Sequence, residues 1–361
     1  RYAGEADRRA AACPDPARRR ELRAMARRCR RVPFHPPRDF REAVQALWLT
    51  EVGGLLSYGQ AAIFAVGRVD QSLWPFYRDD IAAGRITPDE ARALVEELML
   101  KLASGLLLLP MLGKQTGNEL AADSASPTIG GVTPDGKDAV NDLTYLWLEA
   151  YENVRATGNS FMVRLSDRNP PAYWRRVLQT FRVTSGAALF HDEKVAAALA
   201  GSGMAPDHAR DFAVIGCVEP TGDGDTFGCT SGNDVSLAAA VEMLMTGGEV
   251  RMMGRRIGPR TPDPADFRTF DEVMAAYRRH VAWMVDVVAR AVNLKDQAYR
   301  ELLPAPYVSA TLTGCVENAR DATDGGARYE FGSIGARGLG TAADSLAAIR
   351  HFVFDTRQLS M

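Results

Sequence analysis

The stretch of sequence that decides the fold is Phe212-Ala213-Val214-Ile215-Gly216-Cys217-Val218-Glu219-Pro220. Its first four apolar residues predict a buried strand. Gly216 allows a tight turn directly after that strand, and Pro220 fixes the direction in which the chain leaves the turn. A polar, glycine-rich loop follows and leads to a helix predicted to begin near Val235. Loops that leave strand ends carry the reactive groups of many α/β proteins, so the search for chemistry starts here.

Three helix starts share one pattern, an Asp or Thr followed three residues later by Glu: Asp39 with Glu42, Thr87 with Glu90, and Thr269 with Glu272. This capping box satisfies backbone N–H groups that the first turn of a helix leaves free. Apolar residues then recur at three- and four-residue spacing, which predicts one buried face for each helix. The last helix is predicted to exceed about 25 residues.

Four short apolar segments between the helices read as strands: 160–165, 187–190, 212–216 and 307–312. Each is followed by a polar or glycine-rich turn. Strands separated by long helical stretches predict a parallel α/β layout. No Ser/Gly/Pro linker and no fixed repeat divides the 361 residues, so the sequence predicts one continuous piece of structure.

The overall charge gives no reason to expect a polyanionic partner. The formal net charge is -2, which argues against nucleic acid as a ligand. Residues 1–31 are a local exception, because they hold eleven arginines. Either a basic binding arm or a solvated helical face fits this pattern, and we favour the solvated face.

Five cysteines lie far apart in the sequence: Cys13, Cys29, Cys217, Cys229 and Cys315. This spacing is not typical of a secreted disulfide framework and favours a reducing cytoplasm. No apolar run reaches the roughly 20 residues that a membrane span needs, and no signal peptide is apparent. The chain starts at Arg1 rather than methionine, and we expect both ends to be cut.

Cys217 has three possible chemical roles: nucleophile, metal ligand or carrier of a hydrogen atom. No histidine lies close to it in the sequence, although a distant base such as His191 remains possible for a cysteine hydrolase. Cys217 and Cys229 have no second pair to complete a zinc site, so no metal is expected. The carboxylate of Glu219, two residues away, suits the third role, because a radical and a base can share one bond cleavage.

Seven segments together resemble the glycyl radical enzymes, the superfamily of pyruvate formate-lyase and of the diol, choline, isethionate and hydroxyproline enzymes. The first is the signature cysteine loop, Val214-Ile215-Gly216-Cys217-Val218-Glu219-Pro220. The others are 31–40, Gly67-Arg68-Val69-Asp70-Gln71, Thr128-Ile129-Gly130-Gly131-Val132, 135–141, Gly325-Gly326-Ala327-Arg328-Tyr329 and 343–349. The resemblance covers nearly the whole chain, and the combined set is highly specific.

The resemblance implies an α/β fold, a ten-stranded barrel of two parallel five-stranded half-barrels surrounded by helices, with the Cys217 loop at its centre. This chain would be incomplete at both ends. Residues 1–361 would form the central part of the pyruvate formate-lyase-like catalytic domain, and the glycyl radical domain would be absent. The family is also expected to form homodimers.

The resemblance also implies the chemistry. Cys217 matches the family's thiyl radical cysteine, and Glu219 matches its general acid/base. No cofactor is expected to be bound. The radical is instead stored on a glycine and installed by a radical S-adenosylmethionine activase, so the enzyme is expected to be oxygen-sensitive and to work in anaerobic metabolism.

Five further residues are candidates for contact with a small-molecule substrate: Phe190, His191, Phe227, Thr230 and Ser231. Thr230 resembles a pocket position of the choline-cleaving members, and Phe190 and His191 fall where the family places pocket residues. Two of them have an ordinary structural alternative. Thr230 beside Ser231 suits a helix entry equally well, and for His191 a hydrogen-bonded structural role is favoured.

The sequence departs from the family pattern in two ways, which bear on the expected reaction and on whether the chain is complete. Pyruvate formate-lyase has two adjacent cysteines, whereas Gly216 precedes Cys217 here, so acyl transfer to coenzyme A is disfavoured. The family's radical motif, Arg-Val-x-Gly-Tyr, does not occur in residues 1–361. We therefore expect a fragment of a longer gene product, inactive by itself, and less readily a naturally split enzyme.

The expected reaction is radical cleavage of a C–O, C–N, C–S or C–C bond. Within this class we place 1,2-elimination first, arylacetate decarboxylation second and addition to fumarate third. The small polar loop 221–232, with Phe227 as its single aromatic residue, favours a compact polar substrate. A radical-dead paralogue with a structural role is the alternative from another class.

Overall fold

The computed structural model describes residues 1–58, 65–103, 125–155, 161–184, 187–216, 218–228 and 233–361. These residues form two compact units. The first unit consists of Arg1–Thr226, Ala305–Ala322 and Gly326–Tyr329, and the second of Phe227–Pro304, Thr323–Gly325 and Glu330–Met361. Because the chain passes between the units several times, no single linker in the sequence marks the division.

The α-helices of the described residues are α1 Tyr2–Ala12, α2 Pro16–Arg31, α3 Phe40–Tyr58, α4 Val69–Ser72, α5 Trp74–Ala82, α6 Pro88–Ala103, α7 Asp142–Val154, α8 Pro171–Val183, α9 Asp192–Gly201, α10 Pro206–Arg210, α11 Leu237–Met245, α12 Phe270–Leu302, α13 Pro306–Ser309 and α14 Leu339–Ile349. The strands are β1 Thr128–Gly130, β2 Phe161–Leu165, β3 Ala187–His191, β4 Phe212–Ile215, β5 Glu219–Gly222, β6 Thr226–Phe227, β7 Asp234–Ser236, β8 Glu249–Val250, β9 Arg255–Arg256, β10 Tyr329–Glu330 and β11 Gly335–Arg337.

The three predicted helix starts are confirmed. At the start of α6 the Glu90 backbone N–H donates to Thr87 Oγ1 over 3.2 Å, and the Thr87 N–H donates to the Glu90 carboxylate over 3.0 Å. Helix α12 begins with the same reciprocal pair at Thr269 and Glu272 and runs for 33 residues. In the part of the chain that the structure describes, no helix is both long and apolar enough to cross a membrane.

Strands β1, β2 and β3 form a parallel sheet in the first unit, as the alternation of strands and helices predicted. Every residue of β1 and β2 is buried. On one side of the sheet, Phe161 stacks on Tyr151 of α7 with ring centroids 4.4 Å apart, and Val163 packs in the same core. The described residues do not close this sheet into a barrel.

The predicted strand at 307–312 is wrong, because these residues lie in α13 and the turns that follow it. Pro306 occupies the first turn of α13, where its missing N–H costs nothing. The hydroxyl of Ser309 donates to the Ala305 carbonyl over 2.8 Å, closing that turn. An apolar run this short has no periodicity that separates a strand from a helical turn.

The other side of the sheet supports a hairpin. β4 and β5 pair antiparallel, with Phe212 opposite Gly222 and Ile215 opposite Glu219. Phe212 and Val214 pack against Met162 of β2, and Ala188 and Phe190 of β3 join the same cluster. The predicted strand at 212–216 is therefore confirmed, but it lies on the parallel sheet instead of extending it.

A buried ion pair joins this hairpin to the sheet. Arg164 of β2 is fully buried and donates to both carboxylate oxygens of Asp192, each over 2.7 Å. Its remaining donors reach the carbonyls of Phe212 over 2.8 Å and Arg210 over 2.7 Å. The guanidinium also lies 3.9 Å from the centroid of the Phe212 ring. A single charged side chain thus ties together β2, α9 and the start of β4.

The second unit is built around α12. Its core contains Val241 and Leu244 of α11, Val273 and Ala276 of α12, and further residues of α14. Strand β7 pairs parallel with β11 and leads into α11, which begins at Leu237, two residues after the predicted start near Val235.

Replacing Asp192 with Ala should strongly destabilise the first unit, because the buried Arg164 guanidinium would lose its counter-charge. We expect a loss of about 3–5 kcal/mol in the free energy of unfolding, measured by urea denaturation. As a control, Glu21→Ala removes the exposed partner of Arg18 and should cost less than about 1 kcal/mol. Equal losses for the two variants would contradict this role of the pair.

Candidate functional site

The hairpin connection carries the two residues predicted to do chemistry. β4 ends at Ile215 and β5 begins at Glu219, so three residues join the strands. Gly216 has φ of 61°, a conformation that glycine adopts without steric cost. Cys217 itself lies outside the described residues. Val218 is 57% exposed, and Glu219 is half-buried, so the tip of the hairpin is open.

Side chains hold both peptide groups that flank Cys217. The Gly216 carbonyl, which belongs to the peptide bond before Cys217, accepts a hydrogen bond of 2.8 Å from the buried hydroxyl of Ser126. The Val218 N–H, which belongs to the peptide bond after Cys217, donates over 2.9 Å to Oε2 of Glu219. The carboxylate that was predicted to move a proton therefore lies beside the N–H of Val218, the residue that follows Cys217 in the sequence.

Charged residues close the base of the hairpin. Asp211 precedes β4 and Asp223 follows β5, and the Asp223 N–H donates to the Asp211 carbonyl over 3.2 Å. The buried guanidinium of Arg68 forms an ion pair with Asp211 and donates to the Gly130 carbonyl over 3.1 Å. These contacts give Arg68 a structural role at the base of the hairpin.

Asp223 is the titratable member of this group. Burial, and then the like charge of Asp211, raise its pKa to about 6, while Arg68 and Arg164 act in the opposite direction. Gly67 approaches so closely that a Cβ atom at that position would collide with the Asp223 carboxylate. The Asp223 carboxylate therefore packs directly against the backbone at Gly67.

The two predicted pocket residues of β3 lie on different sides of the strand. Phe190 packs in the cluster under the hairpin, with Met162, Phe212 and Val214. Successive residues of a strand face opposite sides, so His191 leaves β3 on the other side. Its Nδ1 atom lies 3.3 Å from Glu193 Oε2. The structure thus brings Phe190, but not His191, to the face that carries the hairpin.

His191, Glu193 and Asp167 also group their possible metal-ligating atoms within 4.8 Å of one another. All three side chains are exposed, and Glu193 already accepts a hydrogen bond from the Ser166 hydroxyl and pairs with His191. Exposed groups that satisfy one another in this way are common without an ion, so we assign no metal here.

Three predicted pocket residues remain: Phe227, Thr230 and Ser231. Thr230 and Ser231 lie outside the described residues. Phe227 belongs to the second unit, where its carbonyl accepts a hydrogen bond of 3.1 Å from the Phe331 N–H. Their proposed contacts with substrate stay predictions.

Sequence reasoning missed four residues that position the hairpin: Ser126, Thr128, Asp211 and Asp223. Ser126 and Thr128 are fully buried polar residues. Small hydroxyl side chains at alternating positions next to an apolar strand were the available signal, because a buried hydroxyl must find a partner.

Replacing Asp223 with Asn should make the protein more stable near pH 7. Because the folded state raises the pKa of Asp223 from 3.8 to about 6, this group favours folding below about pH 4, and that contribution is lost as the pH rises through 6. The variant should gain about 1–3 kcal/mol in the free energy of unfolding at pH 7. Because Asn does not titrate, the variant should also lack the part of the wild-type change in stability between pH 4 and pH 7 that comes from Asp223.

Urea denaturation of both proteins across this pH range measures the difference. Asp207→Asn provides the matched control, because the backbone N–H of His208 lowers the pKa of that exposed carboxyl. Because a lowered pKa favours folding above the unfolded value of 3.8, this control should lose rather than gain stability at pH 7. Parallel pH profiles for wild type and Asp223→Asn would contradict the raised pKa.

Comparison with known proteins identifies the family. A sequence model described as pyruvate formate lyase-like matches residues 1–361. The chain is 32% identical to a (2S)-3-sulfopropanediol dehydratase of Klebsiella oxytoca over 100% of this chain and 44% of that protein. It is 35% identical to an isethionate sulfite-lyase of Nitratidesulfovibrio vulgaris over 96% of this chain and 42% of that protein.

A solved structure agrees with the sequence comparisons. Hydroxyproline dehydratase from Clostridioides difficile, with trans-4-hydroxy-L-proline bound, superposes with a TM-score of 0.91 at 27% identity and covers 99% of this chain and 46% of that one. The chain thus spans less than half the length of these relatives. Since the family model covers all of its residues, the chain belongs to the pyruvate formate lyase-like family of glycyl radical enzymes.

Proposed function

We propose that this chain supplies part of the active site of a glycyl radical lyase or dehydratase, with Cys217 as the hydrogen-atom carrier and Glu219 as the proton carrier. The observation that carries the proposal is the hydrogen bond from the Val218 N–H to Glu219 Oε2, which fixes the carboxylate next to the residue that follows Cys217 in the sequence. Relatives named as dehydratases and as a sulfite-lyase support the same reaction class.

The two residues divide one bond cleavage. The Cys217 thiyl takes a hydrogen atom from a substrate carbon, which leaves a thiol and a carbon radical. Glu219 takes the proton of the hydroxyl on that carbon and gives a proton to the group that leaves the adjacent carbon. The product radical then takes a hydrogen atom back from the Cys217 thiol, so the sequence is redox-neutral and both residues return to their starting states.

The one-electron chemistry comes from a radical stored on a glycine outside residues 1–361, and we propose that a radical S-adenosylmethionine activase installs it. The described residues are compatible with such a source, because Val218 at the hairpin tip is 57% exposed and leaves the tip accessible. What the chain itself supplies is the positioning of Cys217 and the proton transfer by Glu219.

We further propose a homodimer in a reducing cytoplasm, acting on a small molecule. Among the described residues Cys13, Cys29 and Cys315 are free thiols, which supports a reducing compartment. 1,2-Elimination from a compact polar substrate is the first choice. Arylacetate decarboxylation, addition to fumarate and a radical-dead structural paralogue are the alternatives, and elimination from short diols or hydroxysulfonates by the activated product would count against all three.

Replacing Glu219 with Gln in the activated full-length gene product should slow turnover by about 10²–10⁴-fold, because the amide cannot exchange a proton. The amide oxygen of Gln can still accept the Val218 N–H, so the hairpin should keep its geometry. Electron paramagnetic resonance should show the same glycyl radical yield as wild type, and elimination of water or sulfite from short diols and hydroxysulfonates measures turnover.

Cys217→Ala should abolish turnover and leave the fold intact, whereas Cys13→Ala, a free thiol in the α1–α2 connection, should behave as wild type. If the Cys217→Ala variant retained turnover, that result would contradict the proposed role of the thiol. A wild-type product that gains no radical from a competent activase would favour the structural paralogue.

A further inference from the structure

We propose that Ser126 is a positioning residue for Cys217, and that Thr128 assists it by holding the strand that leads to the cysteine. The inference rests on the proposed function of Cys217. It concerns how the protein sets the orientation of the backbone at that residue.

Two side-chain hydrogen bonds attach β4 to the segment that contains β1. The Ser126 hydroxyl donates to the Gly216 carbonyl over 2.8 Å, and Thr128 Oγ1 accepts the Val214 N–H over 3.0 Å. Both hydroxyl-bearing residues are fully buried. Residues two apart in an extended segment face the same side, so Ser126 and Thr128 are matched in spacing to Val214 and Gly216.

Backbone groups cannot make this attachment. The backbone of β1 already pairs with β2, and the Thr128 N–H donates to the Gly67 carbonyl over 3.0 Å. β4 in turn pairs with β5. The side chains of Ser126 and Thr128 therefore link the β1 segment to the end of β4 nearest the reactive loop, whereas Arg164 and Arg68 hold the start of the hairpin.

The Ser126 bond acts at the residue where the backbone is most free. Glycine can adopt a wider range of backbone conformations than any other residue type, and the φ of 61° at Gly216 lies where other residues are strained. Without a donor to its carbonyl, the peptide plane that joins Gly216 to Cys217 can rotate. The hydroxyl of Ser126 fixes that plane and leaves the buried carbonyl satisfied.

Fixing this plane matters because transfer of a hydrogen atom depends steeply on distance and direction. A misplacement of about 1 Å costs on the order of 100-fold in rate even when no reacting group is changed. A lost positioning bond should therefore slow the chemical step more than it weakens binding of the substrate.

The experiment uses the activated full-length gene product with the substrate on which it turns over. Ser126→Ala should lower kcat by about 10–100-fold, with KM within about threefold of wild type. The glycyl radical yield should stay within about twofold, and the deuterium isotope effect on kcat should rise because hydrogen transfer becomes more rate-limiting.

Two further variants make the result specific. Ser126→Thr keeps the hydroxyl and should recover most of kcat. Ser202→Ala removes an exposed hydroxyl, which donates to the Ala198 carbonyl over 3.0 Å at the C-cap of α9, and should match wild type in every readout.

A Ser126→Ala variant with wild-type kcat would overturn the inference while leaving the proposed function standing. So would a loss of kcat that follows a parallel loss of radical yield and stability, since that pattern indicates a purely structural role. Absence of a radical and of turnover in the wild-type product would overturn the proposed function first, and this inference with it.

Discussion

The rest of the first unit depends on one constraint, which is that the charged guanidinium of Arg164 is fully buried. A buried guanidinium is stable only when its donors are all engaged and its charge is balanced. Asp192 balances the charge, and the carbonyls of Phe212 and Arg210 take remaining donors. The start of the hairpin is consequently held to the sheet by an interaction that would be costly to break and that allows little displacement.

Arg68 is a second buried guanidinium, at the base of the hairpin, with a different balance of charge. Its ion pair with Asp211 is shared with a second nearby carboxylate, Asp223, whose pKa is raised to about 6. Near neutral pH this base therefore holds two carboxylates around one guanidinium. The hairpin is thus fixed at its base by charge, along β4 by the side chain of Thr128, and at its connection by Ser126.

Much of the fold was accessible from the sequence because its signals are local. A capping box lies within four residues, so the start of α12 at Phe270 followed directly from Thr269 and Glu272. The contacts that build the candidate site join residues that are far apart in the sequence. Ser126 meets Gly216 across 90 positions and Arg68 meets Asp211 across 143, and neither pairing leaves a pattern in a single sequence. The strand predicted at 307–312 was wrong for a local reason. Pro306 begins a helical turn there, although the short run of apolar residues is also typical of a strand.

The arrangement around Cys217 suits a radical mechanism better than nucleophilic catalysis. A nucleophilic thiol needs a base that accepts its proton, and in the described residues His191 is engaged with Glu193 on the side of β3 away from Phe190. A hydrogen-atom carrier needs instead a backbone that does not move and a proton acceptor within reach of the same substrate. Ser126 provides the first requirement through Gly216, and Glu219 is placed for the second by the Val218 N–H. Under the proposed function, the same short loop would supply rigidity and proton transfer together, which is what coupling a radical step to an acid/base step requires.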